Sequence, residues 1–190
     1  VSALNRYFGY FNHGEFKLRG IRTRQRRATK LELKFQDEVL RHLAPAETVK
    51  EFMELISGTY EILRKYKQRL SNRAIDPQEL LIKIKTHVGA GNYKSRTVQA
   101  LTAQAYDQYG RTLQPGQSML YLVRNDKMRT TNRIIIGPNV DTDSEYDAQW
   151  YGELLENALE ELVGTAQLQH YDQIKYTERG KICSLEEFDW

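Results

Sequence analysis

Two kinds of side chain are clustered densely enough in this sequence to do chemistry. The first is acidic. Asp141 and Asp143, in the tetrapeptide Asp141-Thr142-Asp143-Ser144, could share a divalent cation for phosphodiester chemistry, and a small metal-dependent nuclease would be built on them. The same tetrapeptide also reads as an acidic, Ser-capped helix start, where carboxylates suit the positive end of the helix dipole. The second kind is basic. Residues 17–30 hold seven Lys or Arg and no acid, residues 64–73 hold five and no acid, and residues 83–96 hold four and no acid. Residues 141–161 are the converse, with eight acids and no base. A net charge of only +3 conceals this segregation, which predicts one positive face and one negative element. Three basic stretches facing one way would suit a polyanion such as duplex DNA. Solvated helix faces would account for the same runs without a partner.

Other chemistries have little to work with. The single Cys183 excludes a disulfide framework and a Cys-based zinc cluster. His13, His42, His87 and His170 show no metal-ligand spacing. No apolar run approaches the roughly 20 residues that span a bilayer, and no targeting signal opens the chain. A cytoplasmic protein with no membrane partner is expected. The sequence opens at Val1 rather than Met, as a fragment or a processed chain would. Its 190 residues, 40% of them apolar and 28% charged, suit one compact domain with an ionic surface.

The elements that must position these charges follow from periodicity and turn chemistry. Residues 6–20 predict a β-hairpin around Asn12-His13-Gly14, with Phe16 and Leu18 alternating with Lys17 and Arg19. Thr29 is placed to cap a helix over residues 30–43, with Leu31, Phe35, Val39, Leu40 and Leu43 inward. Ala44-Pro45-Ala46 ends it. A longer helix over about 47–70 carries a stripe of Val49, Phe52, Met53, Ile56, Tyr60, Leu63 and Leu70. The basic run 64–73 lies at its C-terminal end, where cations also suit the dipole. Asp76-Pro77 starts a short helical turn, and Ile82 and Ile84 alternating with Lys83 and Lys85 predict a half-buried strand with a basic outer face. Residues 89–92 form a Gly-rich loop. A helix over 95–109, strands over 118–124 and 132–137, and a last helix over 144–163 complete the pattern. On that helix Tyr146, Trp150, Leu154, Leu155, Ala158, Leu162 and Val163 point inward. The class is α+β.

The order of these segments resembles the C-terminal palm and thumb region of family B DNA polymerases. Leu4-Asn5-Arg6-Tyr7-Phe8-Gly9, Gly14, Arg19-Gly20-Ile21, the arginine cluster and Gln36 are similar to the stretch after that family's last catalytic palm motif. Lys83, Tyr93, Ala100, Ala103, then Gly110, Leu113 and Gly116 leading into Tyr121-Leu122-Val123, resemble its thumb. Asp147 and Trp150-Tyr151 resemble the thumb's closing segment. The resemblance covers about residues 4–165. It departs from the pattern at Asn5, where the family has Lys, at Arg22, where an acid is usual, and near Thr97-Val98, where a His is common. These departures put individual base contacts in doubt.

The resemblance implies a fold made of an N-terminal β-hairpin from the palm followed by a mainly helical thumb with a small antiparallel sheet. The implied division is a palm-derived hairpin and basic loop over 1–27, a thumb over 28–165 and a tail over 166–190. The implied function is to bind primer-template duplex DNA as part of a nucleotidyltransferase, without catalysis by this chain alone. The family's metal-binding aspartates lie N-terminal to everything seen here. Asp141-Thr142-Asp143-Ser144 spells its metal motif but comes after the hairpin instead of before it. No catalytic or metal-binding residue is therefore assigned. Magnesium is expected in the palm of a larger partner subunit, and no cofactor in this chain.

The implied DNA contacts are Asn5, Arg6 and Tyr7 near the primer end, with Tyr7 testing base-pair geometry in the minor groove. Arg19, Arg22, Arg24, Arg26 and Arg27 would take phosphates at the palm–thumb junction. Lys83, Lys85, Lys94 and Arg96 would take the backbone farther along. The acidic-aromatic end, residues 185–190, could dock another subunit. The alternative reading is a stand-alone DNA-binding or scaffolding module with the shape of a polymerase thumb.

Overall fold

The computed structural model describes residues 7–10, 14–19, 27–87, 93 and 97–164. Strands β1 (Tyr7–Tyr10) and β2 (Phe16–Arg19) form the expected antiparallel hairpin, with Tyr7 opposite Arg19 and Tyr10 opposite Phe16. Gly14 has φ of 93°, the left-handed conformation that the reversal needs and that side chains resist. The turn residues Asn12 and His13 lie outside the described residues.

Helix α1 spans Lys30–Leu43. Its start is fixed by a reciprocal capping pair. The Thr29 hydroxyl accepts from the Glu32 amide at 3.1 Å, and the Glu32 carboxylate accepts from the Thr29 amide at 2.8 Å. Helix α2 spans Val49–Ser71 and repeats the device with Thr48 and Glu51. All five inward residues expected of α1 are buried. On α2 Ile56, Tyr60, Leu63 and Leu70 are buried, and Phe52 and Met53 pack at the margin. Tyr66, absent from the predicted stripe, is buried as well, its ring edge-on to Phe35 at 5.4 Å.

A second layer is a three-stranded antiparallel sheet of β3 (Ile82–Lys85), β4 (Ser118–Val123) and β5 (Ile134–Ile136), in that spatial order. Ile82, Tyr121 and Ile136 align across one face, and all are buried. Helix α3 (Val98–Gln108) connects β3 to β4 and packs against β4 and β5. The Tyr106 hydroxyl accepts from the Leu120 amide and donates to the Leu120 carbonyl, each at 3.2 Å, one residue beyond the last β4–β5 pair. A side chain thus completes the ladder where β5 stops. There the chain turns away at Gly137, where a Cβ would lie 2.7 Å from that of Leu120.

Helix α4 (Ala148–Val163) contacts both α1 and α2. The fully buried Gln36 amide donates to the Ala158 carbonyl at 3.0 Å, which gives this residue a structural task. The Tyr151 hydroxyl accepts from the Val123 amide at 2.9 Å and donates to the Leu80 carbonyl at 3.0 Å, tying α4 to the sheet. Burial pushes this phenol far above its usual range. One connected core runs from Leu31 to Val163, and Phe16 of the hairpin packs against it. The α+β class expected from the sequence is the observed one.

In three elements the departure from the expected bounds has a visible cause. Helix α3 starts three residues late because Thr97 provides the cap, accepting from the Ala100 amide at 3.2 Å. Strand β5 keeps only its three isoleucines, since Thr131–Arg133 form a 3-10 turn. Helix α4 is not capped by Ser144. That hydroxyl is spent on a turn, accepting from the Asp141 amide and donating to its carboxylate, and Asp147 caps the helix through the Trp150 amide at 3.0 Å. Within α4, Trp150 and Leu154 are only half-buried, while Tyr151 and Leu159 take fully buried places. A helix covered by two helices and a sheet buries more than one stripe.

Candidate nucleic-acid interface

The clearest cationic surface is the outer face of β3. Alternation turns Ile82 and Ile84 to the core and Lys83 and Lys85 to solvent. Lys83 lies opposite Leu120, and Lys85 opposite Ser118. Neither lysine has an ion-pair partner among the described residues. β3 is an edge strand, and its lysines are the kind of residue that discourages pairing with another strand. The two lysines rise from the same face, roughly 6.6 Å apart along the strand.

The end of β3 is held firmly. The Thr86 amide donates to the Gln117 carbonyl at 2.9 Å, and the Gly116 amide donates to the Thr86 carbonyl at 2.7 Å. The Gln99 side chain, in the first turn of α3, donates to the Lys85 carbonyl. The two lysines therefore stand on a fixed backbone, and only their side chains must be ordered by a ligand.

Arg27 is exposed in the turn just before the Thr29 cap. Its charge, with that of Arg133, reaches the buried Tyr121 phenol and partly offsets the upward shift that burial imposes there. The arginine loop therefore ends within electrostatic reach of the sheet. Of the other predicted contacts, Tyr7 and Arg19 occupy paired positions of the hairpin. Asn5, Arg6, Arg22, Arg24, Arg26, Lys94 and Arg96 lie outside the described residues, as do the Gly-rich loop 89–92 and the tail 166–190.

The second basic stretch is arranged differently. Arg64 pairs with Glu61 and Lys67 with Glu156 of α4. Arg69 lies over the Tyr66 ring at 5.4 Å. Arg73 donates to the Tyr146 carbonyl and stacks over its ring at 4.5 Å. Four of its five cations thus have partners inside the fold. The acid-rich segment supplies one of them, Glu156, and Tyr146 supplies another. Asp141, Thr142 and Asp143 are exposed in the turn that Ser144 closes. Among the described residues no group of three or more His, Cys, Asp or Glu gathers as a metal site would require. No described helix is long and apolar enough to cross a membrane.

Sequence reasoning missed two exposed cations, Lys127 and Arg129, in the loop between β4 and β5. A signal existed, because residues 124–133 hold four Lys or Arg and one acid. Asp126 interrupts the run and concealed it.

No protein-family model and no curated protein matches the sequence. Among solved structures the chain is similar to the family B DNA polymerase from the hyperthermophilic archaeon Pyrobaculum calidifontis, with a TM-score of 0.67 and 19% identity. The match covers 84% of this chain and 20% of that one, so the chain spans about a fifth of the polymerase's length. At this identity the similarity is one of fold. The described chain has the fold of a segment of a family B DNA polymerase.

Proposed function

We propose that this chain holds duplex DNA in the manner of the thumb and adjoining palm end of a family B DNA polymerase, and does not polymerise by itself. The observation that carries the proposal is the coincidence of that fold with uncompensated cations on a rigid strand, Lys83 and Lys85. Arg27 supports it from the edge of the arginine loop. Phosphate contacts of this kind orient a duplex without reading its sequence, as a polymerase requires. On this reading residues 1–27 are palm-derived, residues 28–165 form the thumb, and the remainder is a tail. A larger polymerase subunit supplies the aspartates and their magnesium ions, which would activate the primer hydroxyl and stabilise the leaving phosphates.

The test is anisotropy of a labelled primer-template duplex titrated with the full chain at several salt concentrations. Binding is expected to weaken linearly in log–log form, by about 0.9 in slope for each phosphate contacted, with little dependence on base sequence. Absence of binding at low salt, or a slope near zero, would overturn the assignment. Primer extension by the pure chain with magnesium would overturn its noncatalytic part.

A further inference from the structure

The loop between β4 and β5 is built as a rigid mount for three exposed side chains. Its base is closed by the Arg124 and Asn125 amides, which both donate to the Arg133 carbonyl, at 2.9 and 3.2 Å. Its turn is fixed by Asn125, whose side-chain oxygen accepts from the Lys127 amide at 3.0 Å and whose carbonyl accepts from the Met128 amide at 3.2 Å. The whole loop is fastened to the start of α4. One Asp147 oxygen caps that helix, and the other accepts from the Asp126 amide at 2.9 Å.

Three acids beside the loop are engaged within the fold. Asp126 pairs with Arg133, Glu145 pairs with Arg124 at 3.1 Å, and Asp147 serves two backbone amides. What projects is Lys127, Met128 and Arg129, all exposed, with no ion-pair partner among the described residues for either cation. Met128 is 43% exposed, one of few large apolar side chains so placed among the described residues. An exposed methionine between two uncompensated cations gains nothing for the fold. It matches a surface with anionic rims and a less polar floor. A DNA groove has that character, with phosphates on both sides and sugars and base edges between them, and methionine is among the apolar residues that proteins set into the minor groove.

We infer that Lys127, Met128 and Arg129 form a second duplex contact, with the two cations on phosphates and Met128 between them. This rests on the duplex-binding reading above and adds a contact distinct from Lys83 and Lys85. The experiment is the same anisotropy titration with the full chain carrying Lys127→Ala and Arg129→Ala together, alongside wild type and Met128→Ala. Thermal melting serves as the check on folding, and none of these exposed tips should change it. The double variant should bind roughly tenfold more weakly near 0.15 M salt, with a salt slope shallower by about 1.8, the share of two phosphates. Met128→Ala should lower affinity two- to threefold with the slope unchanged, since it removes no charge.

If wild type binds with a steep slope and the double variant matches it in affinity and slope, the loop contact is overturned while the duplex-binding reading survives. If wild type binds no duplex, both fall. Equal losses on duplex and on free inorganic polyphosphate would show a merely electrostatic patch and would overturn the groove assignment of Met128.

Discussion

Two basic stretches that look alike in the sequence do opposite things in the fold. At the end of α2, four of the five cations of residues 64–73 are partnered within the fold. Arg64 and Lys67 meet carboxylates, and Arg69 and Arg73 lie over tyrosine rings. On β3, Lys83 and Lys85 have no ion-pair partner among the described residues and stand on a strand pinned by its neighbours. A run of positive charge is therefore an ambiguous sign of a polyanion partner. What separates the cases is whether the fold brings acids and aromatic faces to the run. α2 packs against the acid-rich α4, whereas the described residues opposite the two lysines of β3 are Leu120 and Ser118, neither of them acidic.

The largest expected effect tests the β3 side of this contrast. Lys83→Glu with Lys85→Glu should weaken duplex binding about a hundredfold at moderate salt, since two attractions become repulsions. Both positions are exposed, so thermal stability should stay within about 0.5 kcal/mol of wild type. Anisotropy and a melting curve on the same preparation would check this. A large drop in melting temperature with intact affinity would reverse the roles assigned to the two stretches.

Next in size is Arg73, where the α2 side can be broken. This residue follows the cap of α2 in a left-handed conformation, φ 56°, usually reserved for glycine. The Ala74 amide reaches the Arg69 carbonyl at 2.9 Å and the Arg73 amide reaches the Leu70 carbonyl at 3.2 Å, which closes the helix end. The side chain compensates the strained backbone through the Tyr146 carbonyl and ring. Arg73→Ala keeps the strain and loses the contacts, and should cost about 2 kcal/mol in chemical denaturation. Arg73→Gly loses the same contacts but relieves the backbone, and should cost about 1 kcal/mol less than the alanine variant. Duplex affinity should not move in either. The reverse order of the two variants would show that the left-handed backbone at this position is not strained enough to set the stability.

Most of the architecture was legible because local signals and tertiary packing agreed. Thr29 followed three residues later by Glu32, the Pro45 break and the Ile-Lys alternation at 82–85 each name one structure. The failures have a common cause, competition between equivalent groups. Ser144 and Asp147 are both good caps, and only the fold decides that Ser144 folds back on Asp141. Tyr66 and Tyr151 bury their rings because the hydroxyls find Glu38 in one case and two backbone groups in the other, partners remote in sequence. The candidate interface was less legible for the same reason. Composition marks every cation, but pairing with Glu156 or Tyr146 is a tertiary event. Lys127 and Arg129 went unnoticed because Asp126 beside them cancels charge in the sequence. In the fold it is committed to Arg133.

A smaller effect on α2 is confined to alkaline solution. Burial, with help from the Glu38 hydrogen bond, pushes the Tyr66 phenol up to about 12, against an ordinary value of 10.0. The unfolded chain loses this proton first as pH rises, so the stabilisation is whole below pH 10 and is lost between about 10 and 12. Tyr66→Phe should remove that part of the alkaline decline in melting temperature while lowering stability near neutrality through the lost hydrogen bond. A decline of unchanged steepness in the variant would assign it to another group.

The smallest expected effect sharpens the contrast from within α2 itself. The Arg64–Glu61 pair has side chains 74% and 57% exposed, so both charges remain hydrated and the ion pair is screened by salt. Exposed helix pairs three residues apart contribute about 0.2 to 0.5 kcal/mol. Arg64→Ala should therefore change stability by no more than that, and a double-mutant cycle with Glu61→Ala should give a coupling near the lower end. Binding is the more telling readout. If Arg64 is held only loosely by Glu61, a duplex reaching α2 could still recruit it, and the variant would then lose affinity and salt slope as the Lys83 and Lys85 variants do. An unchanged slope means that even a weakly paired cation on α2 lies off the nucleic-acid path. The division between the two stretches would then be one of position as well as of pairing.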